Sequence, residues 1–421
     1  MSRLNHDFGL NNSGFSNAEN TTDFARHRWY YYKEGFSPML VEKAIEAVDL
    51  KQNEVILDPF NGSGTTTLTA ALNGYQSIGI EVNPFTAFLS KVKVINEKVE
   101  RIEHYKTHLI TASEVGAESN LIGFSSFSKP GNNNKWLFND SVLRAFEGGW
   151  RSLVKIPSDE IRELFKLALI TATMGNCNAR RDGKCLRYHI KCEASKYDKY
   201  SFISALKDNL TQIEEDIESH RISGHAPVIY SGDCRKILND EKMQKFKLCV
   251  TSPPYLNTFD YTDIYRPEMF LGKFINSKQE LYDHRLNTVR SHVQARWDKP
   301  VKEDFGALYL ESITHILEHK KELMHRQIPS MIQAYFEDMS NILRMLKARA
   351  EKNAQLWLIV SNSAYANREI PVDLIIGDIG SKAGWFLKEV GVLRHIQKRR
   401  TKYSPDVTHL RESVVIFSAN K

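Results

Sequence analysis

The stretch "NEVILDPFNGSGTTTLTAALNGYQSIGIEVNPF", residues 53–85, constrains the fold more than any other. An apolar run ends in a glycine loop, a helical pattern follows, and a second apolar run ends in an acid, which reads as strand, loop, helix, strand. Two like strands joined through a helix imply a parallel pair, and so an α/β sheet. Gly62 and Gly64 can take backbone conformations closed to other residues and let the main chain approach a ligand closely. The loop is not a P-loop, because no GK[ST] follows, and Thr67 stands where a dinucleotide binder has its last glycine. Glu81 ends the second strand, where an acid can accept both hydroxyls of a ribose. Loop and acid together point to an adenosine moiety without a pyrophosphate. Asp233 ends a third strand in "VIYSGD" and is a candidate partner for the adenine amino group.

A second feature is "VTSPPYLNTFDYTD", residues 250–263. Pro253 and Pro254 fix their own φ angles and lack backbone donors, so they form a rigid exit from a strand rather than part of a ladder. The preceding "FKLCV" reads as a buried parallel strand, which puts Thr251 to Tyr255 at its C-terminal edge, where open α/β sheets hold their ligands.

Further strands are expected in "AQLWLIVSNS" and "ESVVIFSAN", so the α/β domain comprises residues 24–95 and 226–421. A mostly helical block, 96–225, interrupts it and is the candidate target-recognition module, and a second insertion, 262–330, follows the prolyl loop near the active site. The first twenty residues read as a loose arm. Ser37 and Pro38 mark a helix start as N-cap and first helical position. At 421 residues, 42% hydrophobic and 26% charged, the chain has length for a large core. No run approaches the roughly 18 apolar residues of a membrane span, and the polar start has no signal core, so a cytoplasmic protein is expected. Five cysteines without a CxxC pair suggest neither disulfides nor zinc, and no metal is expected.

The net charge of +6 is modest, but cations gather locally. "NARRDGKCLRYHIK" holds Arg180, Arg181, Lys184 and Arg187, and "LNTVRSHVQARWDKP" holds Arg290, His292 and Arg296. Both clusters can neutralise phosphates, and an Arg in either can reach a guanine edge.

Taken together, "DPFNGSGTT" and "TSPPY" resemble the amino-methyltransferases of DNA, which use S-adenosylmethionine to methylate the exocyclic nitrogen of cytosine or adenine. The stretch "YKEGFSPMLVEKAI" is similar to that family's helix-opening motif over the methionine end of the cofactor. The resemblance implies a Rossmann-like class I methyltransferase sheet with a large, mostly helical insertion. It places the cofactor against Tyr32, Phe36, Ser37, Asp58, Phe60, Gly62, Gly64, Thr65, Glu81 and Asp233. It assigns Ser252 Oγ and the Pro253 carbonyl as acceptors for the target amine, Pro254 as a stiffener, and Tyr255 as a stacking platform for a flipped base. A Ser in the prolyl motif accompanies N4-cytosine methylation in this family, whereas Asp or Asn is usual for N6-adenine. The implied enzyme is thus a cytosine-N4 DNA methyltransferase acting on duplex DNA beside a cognate restriction endonuclease. An adenine-N6 or RNA guanine-N2 methyltransferase, or a non-catalytic DNA-binding relative, are the alternatives. Here the glycine loop precedes the prolyl motif, the reverse of many relatives, which leaves the position of the recognition region open.

Overall fold

The computed structural model describes residues 4–9, 14–15, 18–128, 135–182, 185–189, 196–302, 304–398 and 402–420. Twelve strands are found among them: β1 (Leu4–Asn5), β2 (Val55–Asp58), β3 (Gln76–Glu81), β4 (Ala179–Asp182), β5 (Cys185–Tyr188), β6 (Val228–Ser231), β7 (Phe246–Thr251), β8 (Ala350–Ser361), β9 (Ser363–Tyr365), β10 (Arg368–Ile370), β11 (Phe386–Gln397) and β12 (His409–Ser418). Eight form one sheet in the order β1-β11-β12-β8-β7-β2-β3-β6. All neighbours in it are parallel except β12, which runs antiparallel to both β8 and β11. This is the expected Rossmann-like α/β class.

The first helices form where the residue pattern asks for them. In α1 (Pro38–Val48) the Ser37 hydroxyl accepts the Met39 N–H, and proline opens the helix. Leu40, Val41, Ala44 and Ile45 then face one side of the sheet, against Ile56, Leu248 and Val250. The opposite side is covered by the helices Ile328–Arg349 and Val372–Lys382. From β2 the chain runs through α2 (Thr65–Leu72) to β3, then to β6 beyond it, and finally returns to β7 on the other flank of β2. The connections leaving β2 and β7 therefore diverge, which opens a crevice at their C-terminal ends.

The block 96–225 contributes α4 (Val99–Val115), α5 (Asp140–Ser152), α6 (Asp159–Gly175) and α7 (Lys199–Ser219). Its core is continuous with Phe85, Phe88 and Leu89 of α3 (Pro84–Val92) and with Tyr265, Met269 and Phe270 beyond the prolyl loop. Buried Asp216 of α7 accepts from the Arg26 N–H (2.7 Å) and from Trp29 Nε1 (2.9 Å), and pairs with Arg28. The aromatic stretch before α1 is thereby strapped to the bundle.

Two expectations are corrected. The arm is not loose where it is described: Leu4 and Asn5 pair with Val390 and Gly391, and Phe8 is buried against Trp357. The helical block also contains a hairpin, β4–β5, within the basic segment.

Candidate active site

A cleft of about 300 Å³ opens where β2 and β7 part. One wall is the glycine loop. The Gly62 N–H donates to Glu81 Oε2 (2.6 Å) and the Asn83 N–H to Glu81 Oε1 (2.8 Å), so the carboxylate is fixed by main chain on both oxygens. Gly62 sits at φ +48°, and a Cβ there would lie 3.3 Å from Tyr32 Cε1, so the turn and the ring close on each other. Burial pushes the Glu81 pKa up to about 7 against the pull of those two donors. Beside it the Asn61 amide nitrogen is buried with no protein partner. A fixed carboxylate, an unpartnered donor and a close-approach glycine fit an adenosine-bearing ligand.

Tyr32, Phe36, Phe60, Gly62, Thr65, Glu81 and Asp233 all line this cleft. The Asp233 carboxylate is bridged by Arg235 (2.9 Å) and caps the helix Cys234–Ile237. Three of the expected cofactor residues stand behind the wall instead. Ser37 is fully buried in its capping role. Asp58 Oδ1 accepts from the Phe60 N–H (3.0 Å) and Thr251 Oγ1 (2.6 Å), joining β2 to β7 where they part, and burial raises its pKa to about 6. Gly64, at φ +85°, lets α2 pack on α3, because a Cβ there would be 2.8 Å from Ser90 Cβ.

The facing wall is the prolyl loop, with Ser252, Pro253, Pro254 and Tyr255 all on the cleft. The Tyr255 hydroxyl donates to Glu412 Oε1 (2.8 Å), and Arg394 Nε donates to Glu412 Oε2 (2.7 Å). The Leu256 carbonyl accepts from the hydroxyls of Tyr365 (3.1 Å) and Ser363. The Thr258 N–H donates to the Ser291 carbonyl (3.2 Å), which draws a polar segment with His284, Asn287, Thr288 and His292 onto the cleft.

Several expected DNA contacts are placed otherwise. Arg290 is turned inward on Glu337 (2.7 Å) and Asp338 (2.8 Å) and is not a free cation. His292 is buried, and burial lowers its pKa, so it lines the cleft as a neutral ring. Its Nδ1 accepts the Gln294 N–H (3.3 Å), which leaves Nε2 as the donor side, 3.5 Å from Thr288 Oγ1. Arg181 is held inside by Glu268 and Tyr30. Arg180, Arg187 and Arg296 are exposed. Lys184 lies outside the described residues.

Sequence reasoning missed Glu34, Asn61 and Glu412 on the cleft, and it took Arg394 only as the start of a basic run, 394–402, that could track a nucleic-acid backbone. Asn61 lay within the recognised loop and could have been read as a polar donor beside Glu81. Glu412 gave no local signal, because its partner Tyr255 is 157 residues away.

The fold places this cleft at the switch point of an α/β sheet, where proteins of that class hold their ligands. Residues 11–91 match the DNA methylase family. The type II methyltransferase M.AvaI of Nostoc sp. is 26% identical over 404 residues, covering 87% of this chain and 80% of that protein. The type II methyltransferase M.BsoBI of Geobacillus stearothermophilus is 27% identical over 416 residues, covering 85% and 78%. Among solved structures, the rRNA methyltransferase aviRa from Streptomyces viridochromogenes aligns over 91% of this chain and 86% of its own at 10% identity, with a TM-score of 0.33. These matches support an S-adenosylmethionine-dependent DNA amino-methyltransferase family for the chain.

Proposed function

We propose that this chain transfers the methyl group of S-adenosylmethionine to the exocyclic N4 of cytosine in duplex DNA, as the modification enzyme of a type II restriction-modification system with a cognate endonuclease. The observation that carries the reading is that the glycine-loop wall with Glu81 and the prolyl wall with Ser252 and Tyr255 face one cleft. S-adenosylmethionine supplies an electrophilic methyl group on a sulfonium sulfur. Glu81 accepts the ribose hydroxyls, Asp233 lies toward the adenine, and Tyr32 and Phe36 cover the methionine end.

An exocyclic amine is a poor nucleophile because its lone pair is delocalised into the ring. Ser252 Oγ and the Pro253 carbonyl accept its N–H groups, favour a tetrahedral nitrogen and stabilise the positive charge that develops on it. No strong base is required of Ser252, since the nitrogen becomes acidic only as it is alkylated. A stacked base cannot reach the cleft, so the target flips out and rests on Tyr255, whose hydroxyl is tethered to Glu412. Arg180, Arg187 and Arg296 are the exposed cations offered to phosphates. Serine in the prolyl motif favours cytosine over adenine.

The test is methyl transfer from isotope-labelled S-adenosylmethionine to duplex DNA, followed by digestion and nucleoside mass spectrometry. Label in N4-methylcytosine is expected. Label in N6-methyladenine would move the assignment to adenine, and label on RNA alone would overturn the DNA reading.

A further inference from the structure

The hairpin β4–β5 has two faces. Its register pairs Arg180 with Arg187 and Arg181 with Leu186, so the pleat sends the first pair one way and the second the other. Arg180 and Arg187 are exposed, whereas the Arg181 side chain is only 16% exposed. The Arg181 guanidinium donates to the Tyr30 hydroxyl (3.0 Å), pairs with the fully buried Glu268 carboxylate, and lies 4.5 Å from the centroid of the Tyr265 ring. Tyr265 stacks on Tyr32 at 4.9 Å and donates its hydroxyl to Glu34. Tyr32 and Glu34 line the cleft, and Tyr32 covers Gly62. An unbroken series of contacts thus leads from the insertion's hairpin to the glycine-loop wall.

We propose that Arg181 is a positioning residue: from the hairpin it fixes Tyr265, and through Tyr265 it holds Tyr32 and Glu34 over the glycine loop, so the insertion completes the cofactor wall. This rests on reading the cleft as the S-adenosylmethionine site. The fully buried Glu268 carboxylate pairs with Arg181 and keeps its guanidinium turned inward. The same cation faces the Tyr265 ring and fixes its plane. The ribbon that presents Arg180 and Arg187 outward is therefore the ribbon that braces the cofactor side of the cleft.

The experiment uses the full chain and four variants. R181A deletes the brace but leaves Glu268 as an uncompensated buried charge, so the double variant R181M/E268Q removes both charges, and Y265L removes the stacked ring while leaving the pair. Each is checked for folding by circular-dichroism melting, then titrated calorimetrically with S-adenosylmethionine and assayed on duplex DNA. The double variant and Y265L are expected to weaken cofactor binding and raise its KM by about tenfold, with kcat at saturating cofactor falling by less than about threefold. Y265F, which keeps the ring, should retain most of the affinity. Duplex affinity and its salt dependence should be unchanged. Wild-type cofactor affinity in a folded R181M/E268Q or Y265L protein would overturn the proposal. So would a flatter salt dependence with normal cofactor binding in the Arg181 variants, which would make Arg181 a phosphate contact. Failure of the unmodified chain to bind S-adenosylmethionine would instead defeat the reading of the cleft.

Discussion

The two walls of the cleft are built in different ways. On the glycine-loop side, Glu81 is held by Gly62, 19 residues away, and by Asn83, two residues away, in both cases through main-chain donors. On the prolyl side, Tyr255 is held by Glu412 and the Leu256 carbonyl by Tyr365, across 157 and 109 residues and through side chains. The carboxylate clamp of the first wall is a property of one strand-loop-helix-strand unit. The second exists only once β8, β9 and β12 are in place. The Gly62–Glu81–Asn83 clamp keeps its geometry however much chain is inserted after it, whereas the Tyr32 ring above it leans on Tyr265 and Arg181. A remote wall makes turnover sensitive to strands that never touch the cofactor.

Variants can break this division of labour. The largest effect is expected for Ser252→Ala: on our reading it removes an acceptor for the reacting amine, and kcat should fall by about 10²–10³ with cofactor affinity unchanged. Glu81→Ala should weaken cofactor binding by about 1 to 3 kcal/mol through loss of charge-assisted bonds, with duplex affinity retained, as calorimetry and fluorescence anisotropy can read. Glu412→Gln and Tyr255→Phe loosen the remote tether, and each should lower kcat by about 1 kcal/mol in barrier while leaving the cofactor Kd alone. A loss of cofactor affinity in either would merge the two walls into one.

A further effect, of similar size, concerns pH. Burial raises the Glu81 pKa to about 7, so the free protein carries it partly protonated near neutrality. A carboxylate accepts both ribose hydroxyls, and its protonated form accepts less well, so cofactor affinity should rise as pH goes from 6 to 8 and level off above. The change should be several-fold, at most about tenfold per unit below the pKa. Glu81→Gln should bind weakly with no such slope.

The local wall was legible in the sequence because its residues lie in one pattern: Gly62, Glu81 and the helix between them announce strand, loop and acid. The prolyl loop was legible for the same reason, and so was its place beside a buried strand. What holds Tyr255 was not, because Glu412 looks like any charged residue at a strand's start. The strand Phe386–Gln397 was hidden by Lys388, Glu389, Arg394 and His395, which break its apolar core "VGVL" into a short run. The basic segment read as one patch of like charges, yet pairing in a hairpin splits it. Arg180 and Arg187 face out, and Arg181 turns to a buried Glu268 that is 87 residues away. Arg290 was misread in the same way, since its partners Glu337 and Asp338 belong to a helix beyond the second insertion.

The central claim is that one cleft holds cofactor on a local wall and the target amine on a remote one. Calorimetric titration of S-adenosylmethionine into Ser252→Ala and Glu81→Ala proteins, run beside the unmodified chain, tests it most directly. The account predicts an unmodified binding isotherm for Ser252→Ala, which nonetheless methylates duplex DNA about 10²–10³ times more slowly, and a clearly weakened one for Glu81→Ala. Equal binding by all three proteins, or loss of binding in Ser252→Ala alone, would contradict it.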